Sequence, residues 1–242
     1  MANPYTSSYA NPYTVAAQPV DVRAEFIRKT YAHLAGAIAA FVLLEMILFS
    51  IPGISETVFG LLSGSGYSWL IVLGAFMFVS HFANKWAMDS TNISTQYLGL
   101  GLYVVAEALI FLPLLLLAKA MSGDATLIIK AGGVTGLLFA GLTFVAFTTK
   151  KDFSFLGGFL KIGGFIALGV IVVAIIFPSF ITLGFWFSVI MVLFAAGSVL
   201  YSTSNIIHHY NTNQYVAASL GLFASVALMF WYILRIFMAR DE

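Results

Sequence analysis

LYSTSNIIHHYNTNQYVAASLGLFASVALMFWYILRIF, residues 200–237, is the stretch on which the reading of this chain turns. It opens on Leu200-Tyr201-Ser202-Thr203-Ser204-Asn205-Ile206, crosses a polar turn carrying His208 and His209, and then runs apolar from Tyr215 to Met238. Within that run Ala217, Gly221 and Ser225 recur every four residues, which puts three small side chains on one helical face where a second backbone can approach. A helix of this kind belongs in the middle of a bundle.

The rest of the chain agrees. Hydrophobic residues make up 61% of it and charged residues 9%, against roughly a quarter charged in a soluble domain. This composition describes a polytopic membrane protein. Spans of about 20 residues, the length that crosses a hydrocarbon core of roughly 30 Å, nearly exhaust the 242 residues, leaving no room for a separate soluble domain. The spans are expected near 30–51, 68–86, 96–118, 126–148, 155–177, 181–204 and 215–238. Short Gly-, Pro-, Ser-, Asn- and Asp-containing loops join them, including Pro52-Gly53, Gly64-Ser65-Gly66, Gly123-Asp124 and Pro178-Ser179, so sequence neighbours should pack side by side. Further small-residue stripes at Ala32, Gly36 and Ala40, and at Gly132, Gly136 and Ala140, predict close helix packing in the first and fourth spans.

Residues 1–20 repeat Asn-Pro-Tyr-Thr at Asn3 and Asn11 and cannot bury enough apolar surface to offset the entropy of ordering. The expected organisation is a flexible polar tail over residues 1–24 and a seven-span membrane domain over residues 25–242. No basic start followed by an apolar core marks a secretory signal, so the first hydrophobic segment is expected to remain as a span. An odd span count puts the termini on opposite sides. With the N-terminus cytoplasmic, Arg23, Arg28, Lys29, Lys85, Lys150 and Lys151 fall inside, and Lys119 and Arg240 outside, the bias that cytoplasmic loops carry.

Ionisable groups at membrane depth are costly and are functional candidates. Glu45, Glu107 and Lys161 lie within apolar runs, with His33 and His81 toward the cytoplasmic ends of theirs. If either glutamate met Lys161 or a histidine, the pair could relay protons or line a cation path; Lys161 is more simply read as snorkelling to the interface. Glu107, with Pro113 following it on the same helix, is the stronger functional candidate. Arg235 closes the last span, where it could pair with an interior carboxylate or anchor the helix at the outer interface. His208 and His209 could sense pH near neutrality. The chain has no cysteine, which excludes disulfides and thiolate sites. No phosphate loop, dinucleotide fingerprint or zinc-protease motif occurs, and the net charge of +1 argues against nucleic acid. Neither catalytic residues, a metal nor a cofactor is expected.

Three stretches carry a resemblance to the Bax inhibitor family, the transmembrane Bax inhibitor motif proteins: Thr149-Lys150-Lys151-Asp152-Phe153-Ser154-Phe155-Leu156, Leu200 to Ile206, and Ile233-Leu234-Arg235-Ile236-Phe237. The resemblance implies an all-α fold of seven helices with the last one central and wrapped by the other six, in a bacterial inner membrane. It implies either a pH-sensitive calcium or proton leak, or regulation of a membrane partner such as a quality-control protease. Leak-active members resemble one another in two aspartates, after the tyrosine closing span six and within span seven, with a basic residue near the end of span two. Here those positions are Ser202 and either Phe223 or Ser225, with Lys85 as the nearest basic counterpart and His81 one turn earlier. Serine cannot titrate, so a gate built on two carboxylates sharing a proton is not expected, and an ion path would have to use Glu107 or Glu45.

Overall fold

The computed structural model describes residues 13–63, 67–89, 91–149, 151–180 and 182–239. The first Asn-Pro-Tyr-Thr copy, Gly64-Ser65-Gly66, Lys150 and Arg240 lie outside these residues. Eight α-helices follow in order among them: α1 Val20–Phe49, α2 Ile54–Ser63, α3 Ser68–Ala87, α4 Ile93–Ser122, α5 Thr126–Thr149, α6 Leu156–Ile176, α7 Phe185–His208 and α8 Tyr215–Met238. All but α2 are long and apolar enough to cross a membrane. The chain is a seven-span helical membrane protein.

Burial singles out two helices. In the most apolar 18-residue window of each, 72% of α8 and 61% of α4 is buried, whereas none of α6 is. α8 packs along α1, α3, α4, α5 and α7, while α6 lies chiefly against α7 with a smaller contact to α3. The interior is therefore shared by α4 and α8, and the wrapping around the last helix is uneven. Phe159, Phe165 and Ile166 of α6 face outward, as lipid-facing side chains do.

Two glycines show how backbone geometry sets this packing. A Cβ on Gly99 would come within 2.5 Å of the Ala83 carbonyl oxygen and of the Ala87 amide nitrogen, so only glycine lets α4 lie directly on the backbone of α3. Gly123 ends α4 at φ 75°, a left-handed conformation that is cheap only for glycine. At the other end, the Asn92 side chain accepts from the Ser94 and Thr95 amides, satisfying donors that a helix start leaves open.

The stripes divide in two. Ala217 is buried in the α8 interface, and a Cβ on Gly221 would meet the Tyr210 hydroxyl at 3.5 Å. Gly36, Gly132 and Gly136, expected at close helix contacts, have nothing within 4 Å of a built Cβ. They border clefts between helices instead.

The N-terminal boundary also differs from the sequence expectation of a flexible tail to residue 24. α1 starts at Val20, and Lys29 pairs with Glu25 one turn earlier at 2.8 Å, a spacing that supports helix through a charged segment. Before it, Val15 is fully buried and its amide donates to the Tyr210 carbonyl at 2.9 Å, docking residues 14–17 on the turn between α7 and α8.

Candidate functional site

Ser202 and Ser225 meet across the α7–α8 interface. Their hydroxyl oxygens are 3.1 Å apart, and Ser198, one turn before Ser202, lies 2.8 Å from Ser225. The Ser225 hydroxyl also reaches the Gly221 carbonyl at 3.0 Å. Between the two positions left open by the sequence, Ser225 is thus the one opposite Ser202. Phe223 instead packs its ring against Tyr103 and Phe41.

Ser198 and Ser225 open onto a cavity of about 430 Å³ between α3, α4, α6, α7 and α8, where Glu107, Tyr103, Trp69, Trp231 and Arg235 also project. Glu107 is buried, one turn after Tyr103 on α4, and both line this cavity. Arg235 donates to the Leu183 carbonyl at 2.7 Å rather than to a carboxylate. The site therefore holds one acid, one guanidinium and a row of hydroxyls within apolar walls.

The structure separates the other candidates. Glu45 is buried in a second cavity, walled off from Glu107 by Phe111, which lines both. Lys161, His81 and Lys85 are exposed, so Lys161 joins neither glutamate and the α3 pair does not reach the serines. His33 is held by the Tyr97 hydroxyl at 2.8 Å and the Lys29 carbonyl at 2.7 Å. Among the described residues no three histidine, aspartate or glutamate side chains converge as metal ligands would.

Sequence reading missed a polar latch that joins two of the quoted motifs. The Phe153 amide donates to the Ser204 hydroxyl at 2.8 Å, which in turn donates to Asp152 at 3.2 Å. His209 reaches the other Asp152 oxygen at 3.0 Å, and His208 contacts the Ser204 carbonyl at 3.0 Å. Partial burial works against ionisation of Asp152, but hydrogen bonds from the Ser154 amide and hydroxyl and from His209, with the charge of His209, hold its carboxyl at about 2. The signal was available in the motifs themselves: a conspicuously polar Lys-Asp-Phe-Ser run and a polar helix end, each needing a partner.

This arrangement can be compared with known proteins. Residues 23–242 match the model of the family described as "Inhibitor of apoptosis-promoting Bax1". The chain belongs to that family. It is 27% identical over 235 residues to a Schizosaccharomyces pombe protein named Bax inhibitor 1, covering 97% of this chain and 84% of the relative. It is 38% identical over 122 residues to the Escherichia coli protein named Modulator of FtsH protease YccA, covering 50% of this chain and 55% of the relative. An uncharacterised Pseudomonas aeruginosa protein is 33% identical over 154 residues, 64% of each chain. The chain thus spans between about half and two-thirds of the length of these two bacterial relatives.

Proposed function

We propose that this chain is a non-enzymatic regulator of a membrane-bound protease, seated in the inner membrane with its N-terminus cytoplasmic and its C-terminus outside. The observation that carries the reading is the Ser202–Ser225 hydroxyl contact at 3.1 Å. Two hydroxyls there cannot share a titrating proton as two carboxylates do, so the bundle keeps its packing without that gate. The name of the Escherichia coli relative, a modulator of FtsH protease, supports the partner class, and a second form of it is named an inner membrane protein. For orientation, Lys161 near the start of α6 joins the six basic residues of the cytoplasmic end. Lys119, Lys130, Arg235 and Arg240 belong to the other end, which divides all 11 basic residues seven to four.

The test is degradation of a membrane substrate by purified FtsH protease in proteoliposomes, with and without this chain. A changed degradation rate is the expected result, and equal rates overturn the proposal. A second reading, a cation or proton leak, is favoured by Glu107 sharing its cavity with Ser198 and Ser225. It requires wild-type flux that Glu107→Gln flattens with pH.

A further inference from the structure

α1 and α5 both pack on α4 and α8 but scarcely on each other. They meet at Tyr31, whose ring lies 6.4 Å from that of Phe139 and 6.1 Å from that of Phe147. Between them lies a cavity of about 590 Å³, within the roughly 300–1,000 Å³ range of small-molecule sites. On the α1 side of its mouth Val42 and Met46 are 47% and 62% exposed. On the α5 side stand Gly132 and Gly136, which offer no side chain to close the gap. The cleft opens sideways, in the direction from which a hydrocarbon-soluble molecule would arrive.

Its chemistry is one-sided. Glu45 is the ionisable residue of the lining, Thr135 is the other polar side chain, and six phenylalanines supply much of the wall. Glu45 is 6% exposed, and neither carboxyl oxygen has a hydrogen-bond partner. Thr135 gives its hydroxyl to the Ala131 carbonyl and does not serve the acid. A buried carboxyl without a partner is costly. The groups that would relieve it are a cation or a strong donor delivered by a ligand. Aromatic faces carry negative quadrupole potential and also attract cations. From Glu45 the wall continues along α1 to Ile38, seven residues or ~10 Å deeper, long enough for an alkyl chain.

We propose that the α1–α5 cleft binds a single-chain amphiphilic ammonium, its cationic head on the Glu45 carboxyl among the phenylalanine rings and its chain in the apolar wall beyond. The carboxyl selects against anionic amphiphiles. The absence of further donors or acceptors in the wall selects against polar tails.

The experiment uses the full chain in a non-ionic maltoside detergent with a photoreactive decyl-trimethylammonium probe, beside matched decyl alcohol and decyl sulfate probes. After illumination, labelled peptides are mapped by mass spectrometry. The expected result is labelling by the ammonium probe on segments 38–49 and 132–139, with Glu45→Gln lowering it about tenfold, as loss of a desolvated cation contact would. Gly136→Phe, which fills the mouth while keeping the acid, should lower it as much. Because that variant leaves Glu45 intact, it keeps the proposal open to refutation even if Glu45→Gln misfolds. Equal labelling by the alcohol probe would mean an apolar cleft that takes any chain, and would overturn the proposal. So would labelling unchanged in either folded variant, or labelling confined to other segments.

Discussion

Ser202 of α7 and Ser225 of α8 hold their hydroxyl oxygens 3.1 Å apart, and Ser225 is buried. Two carboxylates at that separation could not both ionise cheaply and would titrate as a coupled pair. The double variant Ser202→Asp, Ser225→Asp should therefore introduce a pH-dependent cation leak into liposomes where the wild type is silent. Calcium and proton efflux scanned from acid to alkaline pH checks this. Flux already present in the wild type would move attention to Glu107.

The contact of α3 with α4 depends on one missing side chain. Gly99→Ala places a Cβ within 2.5 Å of two backbone atoms, neither of which can swing away as a side-chain tip could. Overpacking of this kind costs about 1–3 kcal/mol. Gly101, two residues on, has nothing within 4 Å of a built Cβ. Gly101→Ala should thus melt with the wild type in detergent while Gly99→Ala melts lower.

The contrast between these glycines shows what could be read before the fold. Seven spans and the buried last helix follow from apolar run lengths and the Ala217-Gly221-Ser225 spacing. Rotation does not, because helices apolar on every side carry no stripe to orient them. Glu45 and Glu107 could not be assigned to separate cavities, nor Gly132 and Gly136 to a cleft instead of a contact. The short helix α2 reads as loop in the sequence because it falls between Pro52-Gly53 and Gly64. The early start of α1 was hidden by Arg23, Arg28 and Lys29, which lower hydropathy without opposing helix.

The latch around Asp152 predicts a pH response with a defined sign. Its carboxyl is lowered from 3.8 to about 2 in the folded chain. The stabilisation is therefore fully present above pH ~4 and disappears as pH falls through about 2. The side chain is 45% exposed, so screening limits the gain to about 1 kcal/mol or less. Asp152→Asn should lower protection of residues 151–156 from amide hydrogen exchange at neutral pH. The wild type should lose protection there between pH 4 and pH 2, and Asp152→Asn should remove that loss. An identical acid response in both proteins would mean that other carboxylates govern it.

The N-terminal segment separates stability from partner recognition at one residue. Val15 is fully buried and bonded through its amide to Tyr210, so its side chain and backbone both tie the chain to the α7–α8 turn. Val15→Ala removes two methyl groups from that contact, about 1.5 kcal/mol at the usual value per buried carbon, and should lower the melting temperature. Deleting residues 1–12 leaves Val15 in place and should leave melting unchanged, whereas deleting residues 1–18 should lower it at least as far as Val15→Ala. If the tail is the segment a protease grips, the shorter deletion should nonetheless abolish the effect on FtsH-dependent degradation. Loss of regulation without loss of stability places the handle in residues 1–12. Regulation that survives the shorter deletion moves the handle to the bundle, and the turn that Val15 covers becomes the next surface to alter.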